Sequence, residues 1–137
     1  MDLIIERFGK DQVKASSYFG TFIAKMSADF NKDISTALHI KAELDFPETL
    51  RYNDFSLEEN ATYAICNQKS SISFIGKVIS YEEGYDDDDG VVCLQFDIDI
   101  FQITVYKDRR FHTLLDKYVK FTIKKVVIFP YYVRQIY

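Results

Sequence analysis

Glycine and proline are scarce in this chain, with five and two residues among 137. With 16% of positions aromatic, that scarcity excludes a collagenous, linker-like or disordered polypeptide. Histidine is limited to His39 and His112, and cysteine to Cys66 and Cys93. So small a supply argues against a zinc site of about four ligands or a Cys-His nucleophile pair, and no CxxC spacing occurs. GxSxG, P-loop, GxGxxG and HExxH motifs are all missing, and glycines 9, 20, 76, 84 and 90 are too scattered to cradle a phosphate. The expectation is a protein that is not an enzyme and uses no metal or cofactor. Long apolar runs are missing too: Val126–Phe129 falls far short of the roughly 18 residues a membrane span requires. The opening decapeptide mixes acid and base around Leu3–Ile5, unlike a secretory signal. A cytoplasmic protein with two small, buried, reduced thiols is expected, and the sequon at Asn60–Thr62 is then without consequence.

What is present is a sizeable apolar content, 47%, enough for one domain over residues 1–137 with its own core. The formal net charge of -4 is unevenly spread. Glu82, Glu83, Asp86, Asp87, Asp88 and Asp89 crowd six acids into eight residues. From Lys107 onward the balance reverses: Lys107, Arg109, Arg110, Lys117, Lys120, Lys124, Lys125 and Arg134 face only Asp108 and Asp116. The chain is a charge dipole by sequence.

Alternation of apolar and polar residues dominates the pattern. Ile34, Thr36, Leu38, Ile40, Ala42, Leu44 and Phe46 interleave with polar neighbours, as a half-buried strand requires. The even positions from Tyr18 to Phe30 do the same, and Asn31-Lys32-Asp33 between the two runs predicts a long hairpin closed before Pro47. Ser56 and Glu59 form a capping-box pattern ahead of Leu57, Ala61, Ala64 and Ile65, which predicts a helix over about 56–68. A second hairpin follows, with arms near 71–83 and 91–106 joined by the acidic segment. A one-residue phase slip after Ile100 in its second arm predicts a β-bulge or a bent strand. Phe111, Leu114, Leu115 and Tyr118 predict a short helix near 109–116, and Tyr118–Phe129 a last strand stopped by Pro130. The fold class expected is mainly β, with a bent antiparallel sheet or partly closed barrel of five to six strands. The order of strands around an inserted helix resembles the OB-type barrel, a likeness of element order that implies no function.

Candidate chemistry gathers at the two charge poles. The acidic segment fails as an EF-hand: with Gly90 as the obligatory glycine, Tyr85 falls at the first ligand position and Phe96 at the twelfth. It reads instead as a solvated hairpin tip that deters edge-to-edge association, as a tip folded back on the chain's own basic segment, or as a surface that docks a basic partner. On the third reading Glu82, Glu83, Tyr85, Asp86, Asp87, Asp88 and Asp89 bind a basic, nuclease-like protein, with Asp97 and Asp99 extending the acidic face. In composition the chain resembles bacterial immunity proteins, compact and acidic, which implies an antitoxin-type inhibitor. The alternative reading is an OB-like binder of single-stranded nucleic acid, using the bases and aromatics Tyr118, Lys120, Lys124 and Lys125. An isoelectric point near 5.1 weighs against nucleic acid as partner.

Overall fold

The computed structural model describes residues 1–30, 33–85 and 88–136, and Asn31-Lys32 of the expected first turn lie outside them. Eleven strands form two sheets: β1 (Asp2–Arg7), β2 (Gln12–Ser17), β3 (Gly20–Met26), β4 (Leu38–Asp45), β5 (Phe55–Leu57), β6 (Ala64–Asn67), β7 (Ile72–Glu83), β8 (Asp89–Phe96), β9 (Asp99–Tyr106), β10 (Tyr118–Ile123) and β11 (Val127–Gln135). The protein is mainly β, as expected. Among the described residues the helical content is two 3-10 turns, Tyr52–Asp54 and Arg109–Leu114.

The first sheet closes into a five-stranded barrel in the order β1-β2-β3-β11-β4. β1, β2 and β3 form an antiparallel meander, β4 returns to pair with β1, and β11 fills the gap between β3 and β4, running parallel to β3. Counting barrel strands alone, the last lies between the third and fourth, the Greek-key crossing of an OB-type barrel. Alternate residues point inward, as the period of two demands: Leu3, Ile5, Val13, Ala15, Phe22, Ala24, Leu38, Ile40, Ala42 and Ile128 are all buried.

Everything between β4 and β11 builds the second sheet, in the order β5-β10-β7-β8-β9 with β6 also on β7. This excursion starts and ends at one place, because Asp45 closes β4 opposite Val127, the first residue of β11. A register shift between Val78 and Ser80 divides β7. Before it the even positions Ile72, Phe74 and Val78 are buried; after it the odd Tyr81 is, so the bulge changes which side of the chain faces the core.

One aromatic cluster joins the two sheets. Phe74 of β7 lies within 6.2 Å, between ring centroids, of Phe22 in the barrel, of Phe46 just after β4, and of Phe96, Phe101 and Phe121 in its own sheet.

Four sequence expectations are corrected. The segment 18–30 does not form one arm of a hairpin with β4. The chain reverses at Tyr18-Phe19, where the Ser17 hydroxyl accepts from the Phe19 amide at 3.0 Å and donates to the Gly20 carbonyl at 3.0 Å. Alternation had marked β4 as a strand correctly; it says nothing of which strand lies beside it. The helix over 56–68 is replaced by β5, an irregular stretch and β6. Ser56 pairs with Lys120, and Ile65 with Phe74, so sheet pairing overrides a capping signal followed by few helical contacts. The phase slip after Ile100 marks neither a bulge nor a bend. The chain turns back earlier, at Asp97-Ile98, with Asp97 at φ 57°, a region aspartate tolerates. Finally, the last strand is two: Glu48 accepts hydrogen bonds from the Lys124 and Lys125 amides at the break, and Pro130 sits inside β11 at a register shift instead of ending it.

Two substitutions test this packing. Phe74→Ala should cost about 3–5 kcal/mol in denaturant unfolding, because it empties the contact between the sheets. Gly20 has φ +147°, and a Cβ there would lie 2.1 Å from the Ile65 carbonyl oxygen, so Gly20→Ala should lower stability by about 1–3 kcal/mol or more. A melt of Gly20→Ala that overlays the wild type would show that β3 and β6 do not meet this closely.

Candidate partner-binding hairpin

The expected partner-binding residues fall at the turn of the β7–β8 hairpin. Glu82 and Glu83 end β7, Asp89 begins β8, and Gly84, Tyr85 and Asp88 lie between; all six are exposed, Tyr85 fully. Asp86 and Asp87 lie outside the described residues. The hairpin is pinned on both sides of the turn: the Gly84 amide donates to the Asp89 carbonyl at 3.1 Å, and the Lys107 amide to the Asp88 carbonyl at 2.8 Å.

Tyr81 anchors the stem. Its ring is buried, 5.1 Å from Phe111 and 5.0 Å from His112, and lies so close over Gly90 that a Cβ there would meet the ring at 2.9 Å. The hydroxyl accepts from the Asp108 amide at 3.0 Å and donates to a Glu83 carboxylate oxygen at 3.2 Å. One side chain thus ties the acidic hairpin to the turn that carries Arg109, Arg110 and His112. The sequence placed Tyr81 beside the acids but gave no sign that it points inward, because the bulge that turns it there is a feature of pairing.

Among the described residues, the basic segment makes no ion pair with the tip. Arg110 is engaged by its neighbour Asp108 at 2.6 Å and its guanidinium lies 4.3 Å over the Tyr52 ring. That pairing holds the Asp108 carboxyl below its usual range and the arginine above its own. Among the described residues, no carboxylate of Glu82, Glu83, Asp88 or Asp89 forms an ion pair. Lys124 and Lys125 follow Ile123, which pairs with Ile72 at the opposite end of β7 from Glu83. At about 3.4 Å per residue, that strand places these two lysines roughly 35 Å from the tip, against a screening length of about 8 Å in physiological salt.

The residues of the nucleic-acid reading are divided between elements. Tyr118 and Lys120 are half-buried on β10, with Tyr118 packed 5.7 Å from Tyr63, while Lys124 and Lys125 are exposed in the turn after it. Asp97 and Asp99 sit at the β8–β9 turn, the far end of that hairpin from the acidic tip. His39 lies on the barrel surface, where its Nε2 is 3.1 Å from Asp2. Neither thiol is buried as expected: Cys66 is exposed on β6 and Cys93 half-buried on β8, both free. Among the described residues no cluster of three or more histidine, cysteine or acidic side chains is arranged to hold a metal, and no helix is long and apolar enough to cross a membrane.

Comparison with known proteins adds no relative: no family model, curated protein or solved structure matches this chain.

Burial raises the Tyr81 phenol above its ordinary value, and nearby Glu83 adds to the effect; burial and neighbouring Tyr118 act likewise on Tyr63. Above about pH 10 the unfolded chain releases protons that the folded one retains, so stability should fall as pH rises through that range. Tyr81→Phe should cost about 1 kcal/mol at pH 7, where it leaves the Asp108 amide without its acceptor, yet lose less than the wild type on going to pH 11. Urea titrations at both pH values measure the difference; identical alkaline losses would mean that Tyr81 titrates freely.

Proposed function

We propose that the protein is a non-catalytic binding module that captures, and by occupancy inhibits, a basic protein through the β7–β8 hairpin. The observation that carries this reading is an acidic rim without ion pairs among its described residues, standing on a stem fixed by Tyr81. Like charges held together raise the energy of the free protein, and an oppositely charged partner offsets that cost on contact. Lysine and arginine donors meeting Glu82, Glu83, Asp88 and Asp89 would gain charge-assisted hydrogen bonds, while fully exposed Tyr85 offers an amphipathic contact of the kind interfaces favour. The acids also speed encounter with a positive surface. An antitoxin-type protein acting on a nuclease-like toxin has this logic, since carboxylates at a hairpin end can occupy a groove built for phosphates.

The test compares the wild type with the quadruple variant Glu82→Gln, Glu83→Gln, Asp88→Asn, Asp89→Asn, which brings the formal net charge from -4 to neutrality. A control neutralises Glu6, Asp11, Asp29 and Glu59 elsewhere on the surface. All three proteins should melt within a few degrees of one another, because exposed substitutions cost little. As baits in the native host's extract, the wild type and the control should retain a basic protein that the hairpin variant releases, with association at least about tenfold slower for the variant at low salt. Equal retention by all three, or retention indifferent to salt, would remove the hairpin from the interface. Micromolar binding of a labelled single-stranded oligonucleotide, abolished by Lys120→Glu with Lys124→Glu, would replace this reading with the nucleic-acid one.

A further inference from the structure

A second surface lies at the other end of the β8–β9 hairpin. A groove of about 990 Å³ runs between the barrel strands β4 and β11 and the outer side of β8 and β9. Its walls carry apolar side chains that face solvent, among them Ile98 at 85% exposure, Ile100 at 61% and Tyr131 at 65%, with Val91 and Phe129 beside them. The charged side chains that line it are the acids Glu43, Asp45 and Asp99, of which Asp99 is paired with the Met1 ammonium at 3.1 Å while Glu43 and Asp45 form no ion pair among the described residues.

The backbone along this groove is also incomplete. β9 pairs with β8 on one edge through its whole length. On the other edge, Leu50 bonds to the Thr104 carbonyl at 3.0 Å and to the Tyr106 amide at 2.8 Å, so the even residues of β9 direct their main-chain groups away from β8. By that parity the N–H and C=O of Ile100 and Gln102 point the same way, and no described strand pairs with them. An open edge is ordinarily blunted by proline, lysine or a bulge. Residues Ile100–Gln102 have none of the three and carry no charged side chain.

We propose that this groove takes an extended, lysine- or arginine-bearing segment of a partner protein, which adds as a strand to the free edge of β9. Main-chain hydrogen bonds to Ile100 and Gln102 supply the attachment, and the exposed Ile98, Ile100, Phe129 and Tyr131 offer alternate side chains an apolar surface. The charge selects the occupant. A basic segment brings cations to Glu43 and Asp45, whereas a second copy of this chain, paired edge to edge, would set the acids of one groove against those of the other. The free edge is separate from the acidic hairpin: Gln102 pairs with Cys93 and Ile100 with Gln95, four and six residues along β8 from Asp89, or about 14–20 Å at ~3.4 Å per residue. The inference therefore stands or falls apart from the function proposed above.

Three octapeptides, (Val-Lys)4, (Val-Ser)4 and (Val-Glu)4, serve as probes for the full-length protein. (Val-Lys)4 should bind most tightly, shifting the backbone amide resonances of residues 98–104, and (Val-Glu)4 should not bind. Ile100→Pro deletes an outward N–H at a position where an edge strand tolerates proline, and should weaken binding at least tenfold. A (Val-Lys)4 peptide N-methylated at alternate residues should lose binding on the unaltered protein, which keeps the test valid if Ile100→Pro folds poorly. Glu43→Gln with Asp45→Asn should reduce affinity several-fold and flatten its salt dependence, while the quadruple hairpin variant should bind (Val-Lys)4 as the wild type does. Amide shifts confined to the hairpin tip, equal binding of the methylated peptide, or no binding at millimolar concentration would each overturn the proposal. A concentration-dependent dimer broken by Ile100→Pro would assign the edge to a second copy and overturn it as well.

Discussion

The ring of Phe74 is the point at which two sheets become one body. The second sheet leaves the barrel after β4 and returns at β11, two strands that are neighbours, so its attachment by chain is narrow. Side chains must hold it, and they do so through the phenylalanines grouped around Phe74. Edge-to-face pairs such as Phe74–Phe22 and Phe74–Phe46 gain from their orientation as well as from the area they bury, and they cross the junction between sheets. The contact of Gly20 with the Ile65 carbonyl and the bond from the Ile65 amide to the Phe19 carbonyl lie on the same junction. Barrel closure and second sheet are thus coupled in space although they are separate in sequence.

That arrangement explains where the molecule offers surface. A closed barrel has no edges to give, but the second sheet is open, and β9 ends it. The same β8 strand borders both exposed acidic regions, with the hairpin tip at its start and the groove at its end. Each region joins carboxylates to solvent-facing apolar or aromatic side chains: Tyr85 at the tip, Ile98 and Ile100 at the groove. Carboxylates keep such surfaces solvated and favour contact with positive charge over negative.

Much of this was legible from alternation, and what was not has a common cause. Period two marks a strand and its buried side, so Leu38, Ile40 and Ala42 in β4 and Val92, Leu94 and Phe96 in β8 were readable directly. It does not say which strand lies alongside. The pairing of β4 with β1 and β11, and the parallel contact of β11 with β3, depend on distant segments. The slip after Ile100 shows the limit sharply. A bulge, a bend and a two-residue reversal all shift the apolar phase by one, and only the main-chain bonds of β8 with β9 distinguish them. The Ser56–Glu59 signal failed because a cap stabilises a helix by about 1 kcal/mol, less than the strand pairing that Ser56 and Ile65 make instead. At the candidate site the acids were plain in the sequence, whereas their anchor Tyr81 was hidden by the bulge in β7.

The charge dipole of the sequence survives folding for a reason of geometry. A chain with six clustered acids and a basic C-terminal third could neutralise itself, and the register of β8 with β9 even brings Lys107 beside Asp88. Contact there is made by the main chain. Arg110, whose guanidinium can fork onto a carboxylate, is engaged by Asp108 and spread over Tyr52. Lys124 and Lys125 are carried to the far end of β7, several screening lengths from the tip. At that distance salt removes nearly all of the attraction, so these two lysines do not relieve the tip. The acidic end keeps its potential for what approaches from outside, and the ~8 Å range of that potential means it acts in the final stage of an encounter, on a surface already nearly in contact.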